Sequence, residues 1–318
     1  MSKFLKKEDL PKFFAGLLKG YKVIAPVKKR TMHTYEIVDS FDQVDLDFVN
    51  TAYPIKRFFL PPKETLFEFA KGGVKAKLPD TKQLIFGVRP CDVNALKVID
   101  RIFLDEHEDP YYKARRDNTV IIALNCCEAG PNCFGGSFGS CELKDGYDLL
   151  LTEIGAGFVV EVGSKVGEAL AKDLENTNIK PGCKLTHEKE ITQEMLDKLR
   201  ASFTSQIWDD EAKKCLSCTA CTATCPTCPC FFVRDECYLD LESGCRYRHT
   251  ASCQLRSFTK VAGAAVFRKE YGAMFKHRIF HQLQYYKDKF ACQMCVGCGR
   301  CFTNCPTKID MIKILEKL

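Results

Sequence analysis

CLSCTACTATCP (residues 215–226) and CVGCGRCFTNCP (295–306) are two copies of one pattern, eighty positions apart. In each, cysteines stand at i, i+3 and i+6, a fourth follows at i+10, and proline stops the run. A tight loop turns the chain about once per three residues, so three such thiolates wrap one face of an iron–sulfur cubane while the fourth points to a neighbouring cluster. The spacing assigns Cys215, Cys218, Cys221 and Cys305 to one [4Fe-4S] cluster, and Cys295, Cys298, Cys301 and Cys225 to a second. Zinc ribbons also use C-x-x-C pairs, but zinc gains nothing from a third cysteine at i+6 or a Cys-Pro at i+10. Crossed ligation requires the two copies to meet, so the chain between them must fold back.

Working outward, Cys292 adds a further C-x-x-C before the second copy and reads as a bystander, because Cys295 already begins a full run. Cys228 and Cys230 follow the first copy directly and are read either as ligands of a further metal or, by preference, as buried positions that tune a cluster through backbone and S–H groups. Cys237, Cys245 and Cys253 are irregularly spaced and read as small buried hydrophobes. The stretch 246–281 interleaves Arg246, Arg248, Arg256, Lys260, Arg268, Lys269, Lys276 and Arg278 with aromatics. Cations near reduced clusters offset their negative charge, and the same residues suit an acidic partner, so this stretch is read for clusters and partners in preference to nucleic acid. His249, His277 and His281 read as hydrogen-bonding core or interface residues.

Over the whole chain, 318 residues with 46% hydrophobic content can fill a core, and the net charge is +6. The N-terminus has no apolar core or cleavage site of a signal peptide, and no stretch is apolar enough to span a membrane. The expectation is a cytoplasmic protein. Its 20 cysteines should then serve metals, because disulfides do not persist in a reducing compartment.

Fourteen of those cysteines lie between Cys215 and Cys305 and six precede them, which sets a boundary near residue 205. Domain 1–205 is expected to be α/β with a small, mostly parallel sheet. QLIFGV (83–88) and TVIIAL (119–124) are apolar runs of strand length, Asp92 can cap a helix running to Leu104, and strand–helix–strand order implies a right-handed crossover. Residues 147–152 and 157–162 flank Gly155 as a hairpin, Ser164 opens a helix to about Glu175, and 192–214 reads as one long connecting helix. Domain 206–318 is expected to be mostly α-helical and ferredoxin-like, from the helical spacing of Phe258, Val261 and Ala265 and of Phe275, Ile279, Gln282 and Tyr286.

A candidate third site gathers Cys91, just past QLIFGV, and Cys126 and Cys127, just past TVIIAL, because ligands bind where neighbouring parallel strands end. Cys133 and Cys141, from the glycine-rich GPNCFGGSFGSC, complete enough thiolates for a third [4Fe-4S] cluster, with Asp92 as an alternative oxygen ligand. The bland reading keeps Cys91 and Cys126 as core residues at strand ends. Arg89 pairs either with an acidic group or with cluster charge, or is an ordinary capping residue.

The runs CLSCTACTATCPTCPCF (215–231), SCQLRSFTKVAG (252–263), HRIFHQL (277–283) and CVGCGRCFTNCPTKID (295–310), with FGVRPCDVNALKVIDRIF (86–103) and RRDNTVIIALNC (115–126), together resemble one family. It is the iron–sulfur electron-transfer family found in cytosolic sulfhydrogenases, as their beta subunit, and in anaerobic sulfite reductase. The resemblance implies a non-catalytic component of an anaerobic oxidoreductase. Such a component relays electrons between a flavin subunit that handles NAD(P)H or ferredoxin and a catalytic subunit of sulfite reductase or hydrogenase type. One departure stands out: where the family often has Cys-Phe-Cys, this chain has Cys133-Phe134-Gly135, with Cys141 downstream, so a site built there uses different ligands. With no G-x-G-x-x-G, P-loop, H-E-x-x-H or Ser/His/Asp signature, no catalytic residue is assigned. Two rival readings stay open: a self-standing redox enzyme with an open cluster position in the N-terminal domain, and a nucleic-acid-processing iron–sulfur protein.

Overall fold

Strands β6 (Gln83–Val88) and β7 (Thr119–Leu124) run parallel at the centre of the larger sheet, and nearly every residue in them is buried. Continuous apolar runs of this kind are what a strand covered on both faces requires. In the computed structural model, which describes residues 2–183 and 185–318, their side chains alternate between two cores. Leu84, Phe86, Val120, Ile122 and Leu124 pack with Leu10, Phe14 and Leu17, the i, i+4, i+7 stripe of helix α1 (Leu10–Leu18). Ile85, Val88, Ile121 and Ala123 face the other way, onto Val93, Leu96 and Ile99 of α2 (Pro90–Asp100) and Tyr112 of α3 (Pro110–Asp117).

The sheet is larger and less parallel than expected. Its order is β10-β1-β9-β8-β7-β6-β2-β3, built from β1 (Ser2–Lys6), β2 (Lys22–Lys29), β3 (Met32–Ile37), β8 (Leu149–Glu153), β9 (Gly157–Val162) and β10 (Glu175–Thr177) around the central pair. Pairings β2–β6, β6–β7 and β7–β8 are parallel, whereas β2–β3, β8–β9, β9–β1 and β1–β10 are antiparallel. The outer strands are short and half-exposed, so they lack the long apolar runs that revealed the centre. The hairpin at β8–β9 and the Ser164 cap of α4 (Lys165–Leu170) lie where the sequence placed them, but α4 stops at Leu170 and Glu175, its expected end, opens β10. Asp92 does not cap α2: Arg89 holds the N-cap position with Pro90 at N1, and the helix runs on past Asp100 through a π turn, Arg101–Asp105, as far as the sequence led one to expect.

Gly87 interrupts β6 with φ +73°, and the pairing to β7 shifts register between Phe86 and Val88. A Cβ there would press to 3.3 Å against Pro26 and Leu46 in a backbone region that L-residues avoid. The bulge re-aims the strand end, and with it Arg89 and Cys91.

The second half corrects the expectation of a mostly helical domain. Residues 231–250 form a hairpin, β11 (Phe231–Cys237) and β12 (Gly244–Thr250), and β12 pairs with β4 (Lys63–Ala70), itself beside β5 (Gly73–Ala76). This four-stranded antiparallel sheet therefore draws on both sides of residue 205. The ladder to β4 shifts register between Arg246 and Tyr247, and the two arginines differ in surroundings: Arg246 meets Asp235 across the hairpin at 2.6 Å, while Arg248 is buried against Glu64 at 2.6 Å and Asp109 at 2.5 Å. Phe258, Val261 and Ala265 sit in short 3₁₀ turns and loop, interrupted by Gly263 at φ +76°. The long helix expected over 192–214 is two, α5 (Gln193–Ala201) and α6 (Ile207–Ala212). Ser202, Thr204 and Ser205 favour turns over helix interiors, and the indole of Trp208 donates to the freed Ser202 carbonyl at 2.7 Å. Beyond α7 (Ala220–Ala223), the helical spacing of Phe275 to Tyr286 holds, through α8 (Tyr271–Phe280), a π turn and α9 (Tyr286–Phe290). Two short helices follow, α10 (Arg300–Thr303) and α11 (Met311–Leu315).

Arg248 also lies 5.5 Å from the Phe231 ring. Its removal leaves a buried Glu64 carboxylate with Arg115 alone. Arg248→Ala is expected to cost about 3 kcal/mol, the low end for breaking a buried ion pair, read as a lowered urea midpoint.

Candidate metal centres

The two cysteine runs fold alike. In the first, Ser217 and Thr219 adopt left-handed φ of 50° and 67°, and in the second Gly297 and Gly299 do so at 62° and 73°. Each pair of kinks turns the loop so that a backbone amide meets its first sulfur: Ser217 N lies 3.4 Å from Cys215 Sγ, and Gly297 N 3.4 Å from Cys295 Sγ. Each run then enters a one-turn helix, α7 or α10, and leaves it at a Cys-Pro-Thr. The threonine hydroxyls contact the last sulfurs, Thr227 with Cys225 at 3.3 Å and Thr307 with Cys305 at 3.5 Å. A side chain at left-handed φ costs roughly 1–2 kcal/mol, so Ser217 and Thr219 hold this shape because the fold around them imposes it. Gly299 is needed for space as well: a Cβ there would fall 2.2 Å from the Asn132 carbonyl.

All eight cysteines of the two runs line one apolar cavity, closed by Phe134, Phe275, Ile279, Val296, Phe302, Ile309 and Met311. Among the described residues one cation enters it. Arg278 lines the wall, donates to the Cys221 carbonyl at 3.1 Å, and has a buried Nε with no partner among the described residues. An unpaired guanidinium N–H facing thiols is what an anionic iron–sulfide group would satisfy, so the donor set and the charge both fit [4Fe-4S] clusters. Burial pushes the Cys221 thiol up to about 11 and Cys295 up to about 12, against the pull of Arg278. These thiols hold their protons at neutral pH, so iron must displace them, and cluster assembly loses driving force as the pH falls. Two buried glutamines reach the sulfurs: Gln282 donates to Cys228 at 3.7 Å and Gln254 to Cys253 at 3.7 Å. Cys228 and Cys253 are buried and Cys230 half-buried around the first run, Cys245 is buried in β12, Cys237 is exposed, and Cys292 is half-buried near Tyr286. His277 and His281 stack at 5.5 Å, and burial pushes both down to about 4, which leaves them neutral.

The second run is seated on the N-terminal domain. Arg300 donates to both oxygens of Asp92 at 2.7 Å, and to Thr51 Oγ1 at 2.9 Å and the Thr51 carbonyl at 2.8 Å. Both Asp92 oxygens are thereby engaged by an arginine. Phe134 N donates to the Gly297 carbonyl at 2.8 Å, and Asn50 to that of Cys298 at 2.9 Å. The other residues read as a third site have divided environments. Cys127 forms a disulfide with Cys183, contrary to the expectation that disulfides are absent. The Cys126 thiol donates to the Glu128 carbonyl at 3.0 Å, and Cys91 lies near Cys298 and Cys133. Cys133 and Cys141 come together with His187, which the sequence does not single out. A lone histidine 46 positions after Cys141 carries no spacing signal of its own. Arg89 binds the carbonyls of Asn125, at 2.8 Å, and Phe48.

Removing the Arg278 cation from the cavity wall should make reduction harder, since the reduced state carries more negative charge. Arg278→Gln is expected to lower the midpoint potential of the nearer cluster by on the order of 100 mV, from a unit charge several ångströms away at an effective dielectric near 20. An EPR-monitored redox titration reads this, and an unchanged potential would remove Arg278 from that role.

Residues 214–309 match a family described as 4Fe-4S dicluster domain, so the cavity-lining runs fall within a [4Fe-4S] module. No solved structure matches the chain. Over 328 aligned positions it is 34% identical to the sulfhydrogenase 2 subunit beta of Pyrococcus furiosus, covering 99% of this chain and 97% of that protein. A likeness of that extent, together with the dicluster module, places the chain in the iron–sulfur beta-subunit family of sulfhydrogenases.

Proposed function

We propose that this chain is an electron-transfer subunit that holds two [4Fe-4S] clusters, one on Cys215, Cys218, Cys221 and Cys305 and the other on Cys295, Cys298, Cys301 and Cys225. The observation that carries this is the convergence of all eight thiols on a single apolar cavity with Arg278 in its wall. Bound clusters supply one-electron redox chemistry. The protein's part is to exclude water with Phe134, Phe275, Phe302 and Met311, to offset anionic charge with Arg278, and to leave an edge open to a partner. That edge is at the first run, where Cys218 is exposed and Leu216 is 66% exposed, whereas the second run is backed by the N-terminal domain. The partners on this reading are a flavin subunit handling NAD(P)H or ferredoxin, together with a catalytic subunit of hydrogenase or sulfite reductase type; the relative's name, a sulfhydrogenase subunit beta, supports membership of a multi-subunit complex.

Iron and sulfide analysis of the anaerobically purified chain is expected to give about eight of each. Cys225→Ser, though it sits in the first run, is expected to alter the EPR signal of the cluster that Cys298→Ser also alters, and not that of Cys218→Ser. A grouping of Cys225 with Cys218 would overturn the crossed assignment. Affinity capture of the chain from its native host should bring down a flavoprotein and a metalloenzyme subunit; recovery of the chain alone would overturn the relay.

A further inference from the structure

We propose that Cys133, Cys141 and His187 bind a single divalent cation of the zinc class, a mononuclear site separate from the [4Fe-4S] clusters. The ligand atoms of these three residues all lie within 4.8 Å of one another, and among the described residues no other set of histidine, cysteine and carboxylate groups does so. Cys141 Sγ is 3.4 Å from His187 Nε2. A sulfur at about 2.3 Å and a nitrogen at about 2.0–2.1 Å from one tetrahedral ion stand roughly 3.5 Å apart, so the pair already has the edge such an ion spans. Thiolates on different irons of a cubane stand farther apart, and the eight motif cysteines, spread around their larger cavity, form no group this tight.

The backbone is hollowed for these ligands. A Cβ at Gly135 would fall 2.6 Å from Cys141 Sγ, and one at Gly136 would fall 2.9 Å from His187 Nδ1. Two successive glycines thus admit a sulfur and an imidazole against the main chain. His187 lies on the segment between β10 and α5, which is anchored on both sides of it. Cys183 is bonded to Cys127, Lys189 pairs with Asp310, and Ile191 N donates to Ser137 Oγ at 2.9 Å. Two thiolates and an imidazole are soft to borderline donors, which select zinc over calcium or magnesium.

The ion would fasten this segment to the loop 133–141. That loop is part of the wall behind the second cysteine run: Ser140 Oγ donates to the Val296 carbonyl at 2.5 Å and Phe134 N to that of Gly297 at 2.8 Å. The site is therefore structural, and it supports the wall of the cavity.

The test is metal analysis of the full chain, purified anaerobically, with zinc, iron and sulfide counted on the same sample. The expected result is one zinc per chain, lost in both Cys141→Ser and His187→Ala while iron and sulfide stay at the wild-type count. His187→Cys, which keeps a soft donor in place, should retain the zinc. Growth with cobalt(II) in place of zinc should give a thiolate-to-cobalt absorption that disappears in Cys141→Ser. Zinc absent from the wild type, zinc retained in both loss variants, or about four irons lost from Cys141→Ser, as a third cubane would require, would each overturn the proposal. The unchanged iron count separates loss of this ion from misfolding and from failure of the two-cluster reading.

Discussion

Arg300 lies between Cys298 and Cys301, and its side chain is 2% exposed and reaches Asp92 in the first half of the chain. There it meets Asp92, which is fully buried at the first turn of α2. The fork-to-fork geometry, two contacts of 2.7 Å each, satisfies both charges at once, with Thr51 taking two further N–H groups. Neither partner can be exposed to an apolar surround without the other: a buried charge left alone costs several kcal/mol, so the pair acts as a lock between the helix after β6 and the second cysteine run. Lysine cannot replace the arginine, because a point charge has no second fork to offer. The orientation of the second run, and hence of half the cavity, follows from that contact.

Charge is partitioned in the same way through the second half. Of its arginines, Arg248 pairs with Glu64 and Asp109 to join the smaller sheet to α3, Arg246 crosses the hairpin to Asp235, and Arg278 alone turns into the cavity. A stretch that looks uniformly basic in sequence is thus divided by burial into structural pairs and one cation facing thiols. The two runs are alike in backbone and unlike in surroundings, the first open at Cys218 and the second enclosed by Phe134, Asn132 and Asn50. That asymmetry gives the module a direction, with one end at the surface and one end against the mixed sheet.

The shared turn of the two cysteine runs was legible in the sequence because C-x-x-C-x-x-C-x-x-x-C-P is a local constraint, and the structure repeats that turn at Ser217 and Thr219 and again at Gly297 and Gly299. The central strands and the hairpin at β8–β9 were legible for the same kind of reason, since burial on both faces or a tight turn leaves its mark within a few residues. Tertiary structure alone decided the rest. β1 pairs with β9 across some 150 positions, β12 joins β4 from the other side of the chain, Asp92 meets Arg300, and His187 reaches Cys141. Each of these is a contact between distant residues, with no periodicity or spacing to announce it, and each exists because a half-exposed strand edge, a buried charge or a pair of glycines left a place that only a remote part of the chain could fill.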